Sequence, residues 1–322
     1  MAFSHMNSNE VNTWIDISEE KLNKEFEVKS FDGKSSLKIT PSHVHWTEIL
    51  GNELRALEDI QTQVERDQSS TLKENYLENC EKFVESINAG KFKKVILSRI
   101  KNVDFDKRRA GKLFNELNEK YPKALVYLFH KENEIWIGAT PEILAEFNQD
   151  KFKTISLAGT QKGDAVQWQE KEKEEQKIVT DYILDTVAKN EVKELEVNGP
   201  FTYKNGIISH LKTEIEGSFK GDKSKFLSEL HPTPAICGIP KEEAHKFILN
   251  TENHNRKYYC GYLSFKEKTH ENYYVNLRCA ELFSNSISLY LGGGITAQSD
   301  PEKEWEETEL KAQTLLSVIE KL

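Results

Sequence analysis

Alternating apolar and polar residues mark the clearest predicted strand, which lies near the C-terminal end of the chain. Apolar side chains occupy every second position from Ile287 to Leu291, and this is the period of a strand with one buried face. Gly292, Gly293 and Gly294 follow directly, and a backbone without side chains can come close to a ligand. The pattern therefore predicts a strand that ends in a glycine turn.

A helix is predicted just after this turn. Asp300 followed by Pro301 is typical of a helix start, because the carboxylate caps the first turn and the missing N–H of proline costs nothing there. Glu304, Glu307 and Lys311 are spaced to project from one face of that helix. Two carboxylates and an ammonium group are thus expected near the glycines, unless the acids serve only the helix dipole.

A second predicted helix, from residue 167 to about residue 190, repeats this acidic spacing. Its first half is almost entirely charged, and its second half carries the apolar residues. Glu172 and Glu175 lie three positions apart in it, so they share one face. Four carboxylates brought together would repel one another without a cation, and oxygen ligands suit a hard ion such as Mg²⁺. The two helices therefore predict a magnesium site.

The rest of the pattern predicts shorter elements, with no internal repeat and no second-domain boundary. Residues 13–50 suggest a hairpin, and residues 53–68 suggest a helix. A further helix has an apolar stripe that includes Tyr76 and Cys80 and ends at Gly90. Nothing in that helix indicates chemistry.

Three further polar side chains lie at the ends of predicted strands. Lys94 opens an apolar strand, Glu142 follows a proline in a rigid turn, and His210 follows an apolar pair. Each also has an ordinary explanation, as a solubilising lysine, a surface turn or a structural histidine. The pattern alone does not choose between these explanations and a chemical role.

Composition narrows the class of protein. The 322 residues are 37% hydrophobic, with a net charge of −9 and a pI near 5.6, so nucleic acid and membrane surfaces are disfavoured as partners. Four scattered cysteines without a CxxC pair indicate neither zinc nor disulfides and favour a cytoplasmic location. We expect one domain over residues 1–322, with residues 1–12 disordered or foreign to the natural chain.

Several motifs together resemble those of the chorismate-utilising enzymes, the family of isochorismate, anthranilate, aminodeoxychorismate and salicylate synthases. The similarity extends from about residue 75 to the C-terminus, and the motifs occur in family order. The matching stretches are KVILSR (94–99), GATPE (138–142), SLAGT (156–160), EEQKIV (174–179), ISH (208–210), HPTPAICGIPK (231–241), NLRCAEL (276–282) and GGGITAQSDPEKEWEET (292–308) with Lys311.

The resemblance implies an α+β fold of two large antiparallel β-sheets packed face to face, with helices on the outside. It implies that Glu175 and Glu307 bind Mg²⁺ directly, that Glu172 and Glu304 act through water, and that the metal binds the ring carboxylate of chorismate. The residues implied to contact the substrate are Gly159, Thr160, His210, Ala235, Ile236, Arg278, Gly292, Gly293, Gly294 and Lys311.

Details of the motifs favour the isochorismate synthase branch. Anthranilate synthases lack the lysine found at Lys94, aminodeoxychorismate synthases often have lysine at Ala158, and salicylate synthases have Thr-Ala at Ala235 and Ile236. The implied mechanism uses Lys94 as the general base that activates water for attack at C2, and Glu142 as the general acid that protonates the departing C4 hydroxyl. The product would feed menaquinone or siderophore biosynthesis.

Some departures and alternatives remain. Gln176 replaces a usual histidine, Gly293 replaces a common alanine, and the N-terminal part is shorter than in most relatives. A salicylate synthase, which would eliminate pyruvate from isochorismate, and a non-catalytic chorismate-binding protein are the alternatives. We expect a monomer or weak dimer without a glutamine amidotransferase partner.

Overall fold

The computed structural model describes residues 2–4, 11–15, 24–39, 43–46, 65–131, 133–163, 166–205 and 208–322. Its α-helices are α1 (Lys73–Asn88), α2 (Ala110–Lys120), α3 (Glu170–Lys189), α4 (Lys223–Leu230), α5 (Lys241–Thr251) and α6 (Pro301–Ile319). Its strands are β1 (Ala2–Ser4), β2 (Val11–Ile15), β3 (Lys24–Lys29), β4 (Ser36–Ile39), β5 (His43–Trp46), β6 (Lys94–Asp104), β7 (Leu125–Lys131), β8 (Glu134–Thr140), β9 (Ile143–Asn148), β10 (Lys151–Lys162), β11 (Lys193–Asn205), β12 (Ile208–Ser218), β13 (Gly238–Ile239), β14 (Tyr262–Glu267), β15 (His270–Val275), β16 (Cys279–Leu282) and β17 (Ser286–Ile295).

These strands form two antiparallel sheets. In the described residues, one sheet has nine strands in the order β13-β6-β17-β16-β8-β7-β1-β2-β5, and the other has eight in the order β11-β12-β10-β9-β15-β14-β3-β4. The longest pairing in the nine-stranded sheet joins β6 to β17 over ten residue pairs, from Val95↔Ile295 to Asp104↔Ser286. Strands β6 and β17 therefore hold the Lys94 motif and the glycine motif side by side.

The main core lies between the two sheets. Phe26 on β3 packs against Phe129 on β7, with ring centroids 5.7 Å apart, and the Tyr127 hydroxyl on β7 donates to Asn276 Oδ1 at 2.6 Å. Buried residues of both sheets join in one hydrophobic cluster, as expected when two sheets bury their apolar faces against each other. The predicted α+β fold with two packed antiparallel sheets is confirmed.

Helices cover the outer face of the nine-stranded sheet. A second cluster of buried residues there joins Leu113 and Phe114 of α2, Leu315 and Leu316 of α6, and Leu289 of β17. Helix α3 lies instead against β10 and β12 of the eight-stranded sheet. The two helices with acidic pairs thus belong to different sheets and meet where the sheet ends come together.

The N-terminal expectations had mixed outcomes. The predicted hairpin is confirmed as β3 and β4, which pair from Phe26↔Ile39 to Lys29↔Ser36. Residues 2–4 and 11–12, which we expected to be disordered or foreign to the natural chain, belong to β1 and β2, and β1 pairs with β7. The helix predicted over residues 53–68 lies mostly outside the described residues. Within the described residues, no helix has the length and apolar character needed to cross a membrane.

Candidate active site

A cavity lies where the ends of the two sheets converge, and it brings most of the predicted site residues together. It encloses about 720 Å³, part of which is open to solvent. The predicted residues that line it are Lys94, Glu142, Gly159, Thr160, Glu175, His210, Ala235, Ile236, Arg278, Gly292, Gly293, Gly294, Glu307 and Lys311. Glu172 and Glu304 are not among its lining residues.

The three glycines lie inside β17, and the prediction of a turn at this point was wrong. They continue the pairing with β6, where Gly292 faces Ser98 and Gly294 faces Ile96. A Cβ at Gly294 would lie 2.6 Å from Lys94 Cε and closer still to Glu175 Oε1. Glycine is therefore needed at position 294 because the side chains of Lys94 and Glu175 lie against the strand there. The reason is this close contact and not a turn of the backbone.

Lys94 is buried at the start of β6, with 1% of its surface exposed. Its Nζ lies 2.7 Å from Glu175 Oε1 on helix α3. The explanation of Lys94 as a solubilising residue at a strand end does not fit this position. A buried ammonium group needs a charged partner, and Glu175 is that partner across the cavity.

Helix α6 begins as the sequence predicted. The Asp300 side chain accepts a hydrogen bond from Lys303 N, and Pro301 is the first helical residue. One face of the helix meets β17, where Lys311 Nζ lies 2.7 Å from Glu307 Oε1 and donates to Gly292 O at 2.8 Å. Burial alone would raise the pKa of Glu307, but Lys311, which pairs with it, and the more distant Lys171 together outweigh burial, so the net shift is downward. Glu307 is therefore an anion.

Glu304 is the most deeply buried carboxylate of the acidic pairs, with 1% of its surface exposed. Its Oε1 accepts from Lys171 Nζ of α3 at 2.7 Å. Its Oε2 has no hydrogen-bond partner among the described residues. Burial raises the pKa of Glu304 and the charge of Glu307 adds to that, while Lys171 and Ser299 oppose the shift.

Helix α3 uses its own acidic pair differently. Glu175 reaches the cavity, whereas Glu172 Oε2 accepts a hydrogen bond from the backbone of Gln169 at 2.9 Å. This contact is half of a reciprocal capping box at the helix start. Only the stem of Glu172 comes near the site, since a Cβ at Gly159 would lie 3.1 Å from Glu172 Cβ.

Glu142 lies directly after Pro141 at the end of β8 and is 5% exposed. Burial raises the pKa of its carboxyl group to about 8, even though Lys94, Arg278 and Lys311 each act to lower it. The explanation as an exposed surface turn does not fit this burial. At neutral pH the side chain is mainly a neutral acid with a proton to give.

His210 and Arg278 complete the polar wall. His210 Nδ1 lies 2.9 Å from Gly159 O, and burial, together with Arg278, lowers the pKa of the imidazole to about 3. The histidine is therefore neutral and donates from Nδ1. Arg278 has a positive φ of 50°, and its Nη1 donates to Lys311 O at 3.2 Å, which ties it to α6.

Several lining residues were missed by the sequence analysis. They are aromatic, apolar or small side chains that the pattern assigns to strands or to the core: Ile96, Pro141, Leu157, Ala158, Tyr259, Cys260, Leu277, Tyr290 and Leu291. Tyr259 is one of the two tyrosines among them, and its hydroxyl would lie 2.8 Å from a Cβ at Gly292. A close approach of Tyr259 to the glycine strand is a tertiary contact that no local pattern signals.

The donor chemistry of the site fits a hard cation. Among the described residues, no three His, Cys, Asp or Glu side chains already form a metal-binding cluster, because lysines pair with Glu175, Glu304 and Glu307. The carboxylates nevertheless converge on the glycine strand, since a Cβ at Gly293 would lie 3.4 Å from Glu304 Oε2 and 3.8 Å from Glu307 Oε1. Oxygen donors and an unpaired buried carboxylate oxygen suit Mg²⁺.

Comparisons with known proteins show similarity to one enzyme family. A family model described as chorismate binding enzyme matches residues 38–320. Isochorismate synthase EntC of Escherichia coli strain K12 is 30% identical over 245 residues, which are 70% of this chain and 62% of that protein. Isochorismate synthase MenF of Bacillus subtilis strain 168 is 26% identical over 262 residues, 77% of this chain and 56% of that protein. The chain thus spans less than two thirds of these relatives.

Solved structures show the same fold. The menaquinone-specific isochorismate synthase MenF of Escherichia coli superposes with a TM-score of 0.80 at 20% identity, over 99% of this chain and 88% of that one. Anthranilate synthase component I of Streptococcus pneumoniae gives a TM-score of 0.70 at 16% identity, over 94% of this chain and 82% of that one.

Proposed function

The chain belongs to the family of chorismate-binding enzymes, and from this premise we propose that it is an isochorismate synthase. The named relatives that support this branch are isochorismate synthases. The observation that carries the proposal is the pairing, in one cavity, of a buried lysine with a buried, protonated carboxyl group, Lys94 and Glu142. Such a pair supplies a base and an acid for exchange of one hydroxyl group.

Lys94 is the general base in this proposal. An ammonium group cannot accept a proton, so Lys94 acts only after Glu175 has left the ion pair for another partner and the ammonium proton has passed to bulk solvent. The neutral amine then takes a proton from a water molecule, and the water oxygen bonds to C2 of chorismate. The ring double bonds shift as this bond forms.

Glu142 is the general acid. Its raised pKa keeps the proton in place at neutral pH, and it passes that proton to the C4 hydroxyl as the C4–O bond breaks. One water is consumed at C2 and one is released at C4, so the reaction is an isomerisation overall. The carboxylate left on Glu142 regains its proton from Lys94 through solvent.

Cationic groups would hold the two carboxylates of chorismate. Glu175 and Glu307 would be direct ligands of Mg²⁺, and Glu304 would act through water. Bound there, the ion would neutralise and orient the ring carboxylate. In the hydrogen bonds of the described residues, Arg278 donates only from Nη1. The other N–H groups of its guanidinium would bind the pyruvyl carboxylate.

The test is product analysis with chorismate and Mg²⁺, with and without ammonium. Isochorismate is the expected product, and Lys94→Ala and Glu142→Gln should each lower its rate by about 100-fold or more. Salicylate with pyruvate would instead identify a salicylate synthase. A chain that chorismate and Mg²⁺ stabilise against heat without any turnover would be a non-catalytic binder.

A further inference from the structure

Helix α1 carries two buried side chains that the proposed mechanism does not use. Tyr76 is 1% exposed and Cys80 is fully buried, and their spacing of four residues places them on one face of the helix. The Tyr76 ring packs edge-on against Trp305, with centroids 5.4 Å apart. This contact and the packing of α1 on α6 place this face of α1 against the helix that carries Glu304.

The Tyr76 hydroxyl also responds to the charge of that carboxylate. Burial raises the pKa of Tyr76 well above its usual value, and after burial the largest contribution comes from the negative charge of Glu304. Cys80 responds in the same way, since burial and then Glu304 raise the pKa of its thiol to about 12. Glu304 is therefore the acidic group that acts most strongly on this face of α1.

The Tyr76 hydroxyl and Glu304 Oε2 are alike in their burial and in their hydrogen bonding. Both atoms are buried, and neither has a hydrogen-bond partner among the described residues. One is a donor and the other an acceptor, and leaving a buried polar atom unpaired destabilises the folded chain. Ser299 lies near Glu304 and acts to lower the pKa of its carboxyl group, but Oε2 has no hydrogen-bond partner among the described residues. The two unpaired atoms complement each other.

The glycine strand places no side chain against the near side of Glu304 Oε2. A Cβ at Gly293 would lie 3.4 Å from Glu304 Oε2, so the glycine keeps the strand side of this oxygen open. The other carboxylate oxygen is already held by Lys171 at 2.7 Å. A contact from Tyr76 would fix the second oxygen and so set the orientation of the whole carboxylate.

We propose that Tyr76 is a positioning residue for the cation site, and that its hydroxyl donates through one water molecule to Glu304 Oε2. The proposal rests on the proposed function only in requiring a cation at the Glu307 and Glu304 face of α6. Groups that orient the ligands of a metal commonly contribute 10- to 100-fold to its affinity. Helix α1 is then part of the functional site, although its sequence carries no chemical signal.

The test is a Mg²⁺ titration without substrate, followed by thermal unfolding, on the wild type and on Tyr76→Phe. The variant keeps the ring and its packing on Trp305 and loses only the hydroxyl. Without Mg²⁺ it should unfold at a slightly lower temperature than the wild type, because the bridging water and Glu304 Oε2 lose their donor. With Mg²⁺, its half-saturating concentration should rise by about 10-fold.

Tyr182→Phe is the matched control. Its hydroxyl donates to Glu229 O at 2.6 Å, and Tyr182 does not line the cavity, so its loss should lower the unfolding temperature equally with and without Mg²⁺. An unchanged half-saturating concentration in Tyr76→Phe would show that Tyr76 is only a core residue. A wild type that Mg²⁺ does not stabilise, with or without chorismate, would overturn the cation site and this proposal, whichever product the chorismate assay gives.

Discussion

Helices α3 and α6 carry the same acidic spacing but use it in opposite ways. On α6, Glu307 lines the cavity and Glu304 is buried beside it. On α3, Glu175 enters the cavity, whereas Glu172 turns back to its own helix start. Spacing places two carboxylates on one helix face, and the position of that face relative to the helix end decides whether both are available for a site.

The helix starts explain the difference. On α6 the cap is Asp300, which satisfies the first turn with its own carboxylate, so the acids further along remain free for tertiary contacts. On α3 the cap is Gln169, and Glu172 occupies the third helical position, from which a side chain reaches the backbone of the cap. The Glu172 carboxylate therefore caps its own helix, and Glu175 is the residue of this pair that lines the cavity.

The largest predicted effect comes from removing the carboxylate that α6 contributes to the cavity. Glu307→Gln removes the anion beside Lys311 and a proposed direct ligand of the cation, so kcat/KM for chorismate should fall by about 100-fold. Glu306→Gln, one position away and exposed, is the matched control and should stay within about 3-fold of the wild type. Equal losses of kcat/KM in the two variants would show that Glu307 has no specific role.

The next prediction concerns the link between the two helices. Lys171→Met leaves the buried Glu304 without its ammonium partner, which should lower the free energy of unfolding by about 3 kcal/mol in urea titrations without Mg²⁺. Added Mg²⁺ should restore part of this loss, because it binds only the folded chain. Lys173→Met, which breaks an exposed pair with Glu170, should change stability by at most about 0.5 kcal/mol.

A third prediction follows from the acid on the opposite wall. The folded-state pKa of Glu142 is raised to about 8 by burial, so the protonated, active form dominates below that pH and is lost above it. At saturating chorismate, kcat should therefore fall about tenfold for each pH unit above pH 8. The residual rate of Glu142→Gln should lack this fall, and an alkaline limb that persists in the variant would assign it to another group.

The smallest predicted effect lies at the start of α3. Glu172→Ala removes half of the capping box and should lower the free energy of unfolding by about 1 kcal/mol. The kcat/KM for chorismate should stay within about 3-fold of the wild type, because the carboxylate does not line the cavity. A loss as large as that of Glu307→Gln would mean that Glu172 swings into the site when the cation binds.

Much of the fold was predictable from sequence, and the limits have a physical reason. The period of β17, the capped start of α6 and the hairpin of β3 and β4 are local patterns, and the structure contains all three. The ion pair of Lys94 with Glu175 and the approach of Tyr76 to Glu304 join segments more than 80 residues apart in sequence. Such contacts depend on packing between sheets and helices, which no local period encodes.

The most direct test of the proposed water attack is to run the reaction in water labelled with heavy oxygen. Product and remaining substrate collected at early times would be separated by chromatography, and their heavy-oxygen content would be measured by mass spectrometry. Attack at C2 by a water that Lys94 activates predicts one heavy oxygen in each isochorismate molecule and none in the remaining chorismate. Unlabelled isochorismate would mean that the hydroxyl group migrates within the substrate, and would contradict the roles of Lys94 and Glu142 proposed above.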